Sequence, residues 1–294
     1  MRHYSCLLHC CCLVSLVTSF EIYQGQRYLW SPGGSSEQVA SNAPRRPLVL
    51  IPGFGQRLEN WEMHVPNDRP VLVYECAGLG PSTSSRSYDL ESQAQTMLSL
   101  AADLCSSGAR TELDVAGFSL GGRVALAAAT LAPIRKLHLT GVALERDEFG
   151  QLQLLQWKDH LERNNLRALA WALLSASYTP VYLNKSPERT LAWVEALSKA
   201  HSRDELLRLL AATEDVGEWS VASMAERVST SVTAAHVCCG ADDLMAPPRS
   251  VQQLGELLGC ASPTTIHQAG HAVPFESPKL WRQDMLAFFD HREL

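Results

Sequence analysis

The sequence predicts an α/β protein: a mostly parallel central sheet flanked by helices, interrupted once by a helical insertion. Three observations carry this. Short apolar runs alternate with helix-period segments at both ends of the chain. One long stretch, from about Glu145 to Ser231, shows helix-like segments and no convincing strand. And Gly117-Phe118-Ser119-Leu120-Gly121 joins an apolar run to a small-residue helical segment, which calls for a sharp strand-to-helix turn.

The elements follow in order. Phe20–Trp30 reads as an opening strand pair bent at Gly25, and the Ser/Gly/Pro/Asn-rich stretch Ser31–Arg46 as a loop. Pro47–Ile51 and Pro70–Tyr74 are apolar runs ended by glycine-bearing loops, as buried strands are. Leu90–Cys105 has helical apolar spacing. Leu113–Ala116 leads into the serine turn and the helix Gly122–Ala129, and Leu137–Leu144 is a further strand. Helical segments then cover Leu152–Asn164, Leu166–Ser177, Pro187–Ala200 and Asp204–Ala212. Val232–Cys239 resumes the strand pattern, followed by helices at Val251–Leu258 and Leu280–Asp290. The core is therefore expected over 20–144 and 232–294, with 145–231 inserted at the C-terminal edge of the sheet, where ligands bind in open α/β folds.

The bulk numbers narrow the class. The chain has 294 residues, 46% of them hydrophobic, a net charge of -6 and no basic cluster beyond Arg45-Arg46. A nucleic-acid partner is excluded on that basis. Arg2 and His3 precede the apolar run Cys6–Val17, which is shorter than the roughly 18 residues a membrane span requires. Residues 1–19 therefore read as a secretory signal, leaving no stable span in the mature chain. A two-step plastid presequence and a cytosolic N-terminus remain open alternatives. Cys76, Cys105, Cys238, Cys239 and Cys260 lack metal-type spacing, and no obligatory disulfide framework is expected. The sequon at Asn184 is followed by Pro187, and the C-terminal His291-Arg292-Glu293-Leu294 carries an arginine where an ER-retention tail has an acid.

A serine is a poor nucleophile without a base, and the base needs an orienting acid. Two later loops supply candidates: Gly240-Ala241-Asp242-Asp243 and Gly270-His271. Asp243 is preferred to Asp242 on the Gly-x-x-Asp spacing. His138 and His236 lie in strands, where a hydrogen-bonded core histidine is the default, and His267 lacks the preceding glycine. The tryptophans of the helical block, Trp157, Trp171, Trp193 and Trp219, are more often packing than substrate contacts.

The order Ser119, Asp243, His271 resembles that of the α/β-hydrolase fold, in its branch of cap-bearing serine esterases and enol-lactonases. The resemblance runs from about Phe20 to the end. Pro52-Gly53-Phe54-Gly55 resembles the family's oxyanion loop, with Pro52 in place of the usual histidine; Glu75 stands where an aspartate is commoner. The resemblance implies Ser119 as nucleophile, His271 as general base and acid, Asp243 as its orienting partner, and the backbone N–H groups of Phe54 and Leu120 as the oxyanion hole. It implies cleavage of an ester, thioester or lactone of a small or lipophilic acid, with the insertion as a lid. The expected partner is a small-molecule acyl substrate; no cofactor or metal motif is visible, and oligomeric state is not readable. Carbon–carbon hydrolysis, acyl transfer, or ligand sensing with little turnover are the competing uses of the same residues.

Overall fold

The computed structural model describes residues 20–33, 45–83, 87–105, 112–228, 232 and 234–291. The signal-like segment 1–19 and the last three residues lie outside them. Strands β1 (Glu21–Tyr23), β2 (Gln26–Ser31), β3 (Leu48–Ile51), β4 (Val71–Tyr74), β5 (Asp114–Phe118), β6 (Lys136–Thr140), β7 (Ala234–Gly240) and β8 (Thr264–Ile266) form one sheet in the order β1-β2-β4-β3-β5-β6-β7-β8. β1 and β2 pair antiparallel; every pairing from β4 to β8 is parallel.

The central parallel strands β3 and β4 are apolar because both faces are covered. Side chains alternate between the faces. Val49, Ile51, Leu72, Val115, Leu137 and Leu139 pack with α1 (Leu90–Cys105) and α2 (Leu120–Leu131). Leu48, Leu50, Val71, Val73, Ala116 and Phe118 face Trp61, on a 3-10 helix over Leu58–His64, and the closing helix.

Between β6 and β7 the described residues contain helices and no strand. These are α3 (Glu148–Glu162), α4 (Leu166–Ser177), α5 (Pro180–Asn184), α6 (Pro187–Ala200), α7 (Arg203–Ala212) and α8 (Val221–Val228). Their starts are encoded locally. The side chains of Asp147, Asn165, Thr179 and Ser202 each accept a backbone N–H from the first turn they precede. Pro180 and Pro187 occupy first-turn positions, where no N–H is needed. After β7 come α9 (Pro248–Leu257), the short α10 (Val273–Glu276) and α11 (Pro278–Asp290).

Two expectations need adjusting. The strand read over Leu137–Leu144 stops at Thr140, because Gly141 turns to φ +63° and ends the extended chain. β8 went unread: it has three residues, two of them threonine, too few to show a period. Cys76, Cys105, Cys238, Cys239 and Cys260 are free thiols, and no helix of the described residues is long and apolar enough to cross a membrane.

His64 is fully buried against Trp61, Phe275 and Trp281, with neither ring nitrogen hydrogen-bonded among the described residues. Burial, helped by the nearby Arg282 charge, pushes its pKa from 6.5 down to about 4. The unfolded chain therefore takes up this proton first, and the ring's contribution to stability is lost as pH falls from about 6.5 towards 4. Tm is expected to drop across that window and to drop less steeply in His64→Phe. Parallel Tm–pH curves for the two proteins would contradict it.

Candidate active site

The structure brings together the loops at the C-terminal ends of five strands. Ser119 follows β5 and caps α2 with φ 53° and ψ -115°, a conformation that non-glycine residues rarely adopt. The flanking glycines make this turn possible. A Cβ on Gly121 would lie 2.1 Å from the Ile51 carbonyl oxygen, and one on Gly117 would lie 2.3 Å from that of Gly121. The chain is thus drawn against the end of β3, which places Pro52–Gly55 beside the serine.

Ser119 Oγ is 2.9 Å from His271 Nε2. His271 Nδ1 is 2.9 Å from Asp243 Oδ2 and 3.1 Å from Oδ1. Asp243 is buried, and its Oδ1 also accepts the backbone N–H groups of Met245 (2.9 Å) and Ala246 (2.8 Å). The carboxylate is therefore fixed before it meets the ring, and it fixes the ring's orientation in turn. With Nδ1–H donated to Asp243, Nε2 presents its lone pair to the serine hydroxyl. Asp242 is exposed, as is His267.

The histidine loop is anchored to the insertion. Glu276 accepts Gly270 N–H at Oε1 (2.7 Å), and at Oε2 accepts Thr179 N–H (3.1 Å) and Oγ–H (2.6 Å). Ala272 N–H donates to the Ser177 carbonyl at 2.7 Å, and Tyr182 O–H to that of Phe275 at 3.0 Å. The loop after β3 is held similarly. Gln56 Oε1 accepts Gly53 N–H and Trp61 Nε1–H, Phe54 stacks on Trp157 with centroids 5.7 Å apart, and His201 links Gly55 to Gly80. His201 Nδ1 accepts Gly80 N–H, so its Nε2 must carry the proton donated to the Gly55 carbonyl. Burial lowers its pKa to about 4 and keeps the ring neutral. Sequence reasoning missed Glu276 and His201, because both act across more than one element.

Ser119, Leu120, His271 and Phe54 line a cavity of about 680 Å³ with Val142, Met245 and side chains from α3 and α7. Trp157 is the tryptophan of the helical block that reaches it; Trp193 packs on Tyr178 and Tyr182, and Trp219 under Arg227. Outside the cavity, His138, His236 and Asp284 have donor atoms within 4.8 Å of one another. Both Nε2 atoms meet Asp284, at 3.1 Å for His138 and 3.1 and 3.2 Å for His236, and Thr264 donates to the same carboxylate. Burial opposes charge on His236, but hydrogen bonds to Asp284 and Cys260 overcome it and lift the pKa to about 9. The ion-paired group links β6 and β7 to α11.

A profile of the alpha/beta hydrolase family matches residues 48–283. The chain belongs to the alpha/beta hydrolase family. The dihydrolipoyllysine-residue acetyltransferase component of an acetoin cleaving system from Pseudomonas putida is 29% identical over 250 residues, 82% of this chain; the chain spans only 63% of that relative's length. Among solved structures, MGS-M2, an alpha/beta hydrolase enzyme from a Medee basin deep-sea metagenome library, superposes with TM-score 0.77 at 20% identity, covering 94% of this chain and 98% of that one. The enol-lactonase from Burkholderia xenovorans LB400 gives TM-score 0.73 at 18% identity, covering 93% and 100%. These likenesses extend the shared fold to almost the whole chain.

Glu276→Ala removes the acceptor of three donors at the join between the histidine loop and the insertion. It is expected to destabilise the protein by about 2 kcal/mol, read as a lowered urea midpoint at constant m. An unchanged midpoint would mean that the join does not depend on this carboxylate.

Proposed function

We propose that this protein is a serine hydrolase that cleaves an ester, thioester or lactone of a small or lipophilic carboxylic acid. The observation that carries the reading is the continuous hydrogen-bonded line from Asp243 through His271 to Ser119 Oγ, opening into an apolar-walled cavity. Ser119 Oγ attacks the carbonyl carbon while His271 Nε2 takes the hydroxyl proton. The carbonyl oxygen becomes an oxyanion received by the N–H groups of Phe54 and Leu120; one such donor is worth about 3 kcal/mol of barrier. The carbon–oxygen or carbon–sulfur bond then breaks, and His271 returns the proton to the leaving group. Water repeats the sequence: its proton goes to His271, its oxygen to the acyl carbon, and Ser119 regains its hydrogen as the acid departs.

Helices α3–α8 serve as a lid in this reading. They supply Trp157, Leu154, Leu207 and Leu210 to the cavity wall and exclude bulk water from the developing charge. A second reading, acyl transfer to an acceptor other than water, is favoured by the name of the Pseudomonas putida relative. It uses the same acyl-enzyme and differs in what resolves it.

p-Nitrophenyl acetate and butyrate should be hydrolysed, with kcat/KM lowered about 10⁴-fold or more in Ser119→Ala. A fluorophosphonate should label Ser119. A folded protein that neither turns over an ester panel nor takes the label would reject the serine-hydrolase reading. Acyl transfer predicts that an added thiol or alcohol acceptor diverts the acyl group from the free acid to the new ester or thioester. A free-acid yield indifferent to acceptor concentration would eliminate it.

A further inference from the structure

Arg123 lies one helical turn beyond Ser119 on α2 and is only 5% exposed. It lines the same cavity as the serine. Its Nη1 donates to the Thr213 carbonyl; its Nη2 is 3.2 Å from the Glu214 carbonyl and 3.5 Å from Asp215 Oδ1. Its Nε–H is buried with no partner among the described residues. Trp157, also 5% exposed, lines the cavity as well, and its Nε1–H is likewise unpaired. An unpaired buried donor is costly unless something supplies the acceptor. Both side chains form part of the cavity wall and give it polar groups beside its apolar ones.

Charge narrows the ligand further. Arg146 follows β6, is half-buried, lines the cavity, and its guanidinium makes no hydrogen bond or ion pair among the described residues. The two guanidiniums feel each other: burial and, after it, the Arg146 charge lower the pKa of Arg123 to about 10, against the opposing pull of Asp215. Burial also lowers Arg146, again against Asp215. Both stay charged at neutral pH. Asp215 offsets one of them, leaving one positive charge in excess at the buried end. Lys158, Glu162 and Glu214 also line the cavity, but they are exposed and screened by water. A single excess positive charge matches a monoanion, and guanidinium geometry suits a carboxylate.

We propose that the substrate carries one carboxylate besides its scissile ester, thioester or lactone bond, and that Arg123 and Arg146 hold it at the buried end of the cavity. The reaction rests on the serine-hydrolase reading; the anion subsite does not. Arg123 also ties α2 to the insertion, so Arg146, whose guanidinium has no hydrogen bond or ion pair among the described residues, is the side chain to vary.

Binding comes first and needs no turnover. Glutarate and adipate are titrated calorimetrically into Ser119→Ala protein, with 1,5-pentanediol as the neutral control. At least one dicarboxylate should bind, the diol should not, and adding Arg146→Gln should weaken binding at least about tenfold. Turnover then locates the anion. Mono-p-nitrophenyl succinate, glutarate and adipate, against p-nitrophenyl butyrate, place it on the acyl half; 4-carboxyphenyl butyrate, against phenyl butyrate, places it on the leaving half. One carboxylated ester should exceed its neutral counterpart in kcat/KM at least about tenfold, and Arg146→Gln should collapse that ratio. The proposal is overturned if no dicarboxylate binds, or if Arg146→Gln leaves both affinity and ratio as they were. Arg146-dependent binding without turnover of any ester would uphold the subsite and reject the hydrolase reading alone.

Discussion

The reversal of the chain at Ser119 is the constraint on which the rest depends. A non-glycine residue held at φ 53° carries strain of about 1–3 kcal/mol, and the surroundings over-determine it. Ser119 N–H is taken by the Thr140 carbonyl at 2.8 Å, its own carbonyl accepts Arg123 N–H at 3.1 Å, and Gly121 presses on the end of β3. The same contacts fix three neighbours at once. β6 must end where it does to receive the serine N–H. The loop after β3 must lie against α2. Gly141, whose Cβ position is 3.0 Å from His271 Cε1, must lack a side chain so that the imidazole can reach the hydroxyl.

What was legible in the sequence is what this constraint writes locally. Gly117, Ser119 and Gly121 are neighbours in the chain, and so are Gly240 with Asp243 and Gly270 with His271. The central strands were legible because strands buried on both faces are short apolar runs, as at Leu48–Ile51 and Val71–Tyr74. The longer helices of the insertion were legible as helix-like segments at Leu166–Ser177, Pro187–Ala200 and Asp204–Ala212. Where the signal was short it failed: β8 and α10 span too few residues to show a period, and α5 too few to show an apolar face.

Links across elements left no such mark. Glu276 couples Gly270 to Thr179, 91 positions away in the chain, through its two oxygens. His201 joins the loops at Gly55 and Gly80. Nothing in a residue's neighbours in sequence reveals that its partner lies in another element. The same holds for His138, His236 and Asp284. The two histidines are paired across β6 and β7 in the register of the sheet, but the carboxylate that charges one of them comes from α11.

The cavity therefore has two origins. Its Ser119 side is made by loops at strand ends, each fixed by backbone hydrogen bonds and close glycine contacts. Its far wall is made by side chains of the insertion and of α2. A substitution in the wall would be expected to leave the hydrogen-bonded line from Asp243 through His271 to Ser119 intact, and one in the loops to disturb it. Arg123 does not divide this way. Its backbone belongs to the serine helix, its Nη atoms hold the insertion at Thr213 and Glu214, and its Nε faces no partner. Any movement of the insertion relative to the sheet must stretch those bonds, so the helix that carries the serine and the insertion that covers it are held together by one side chain.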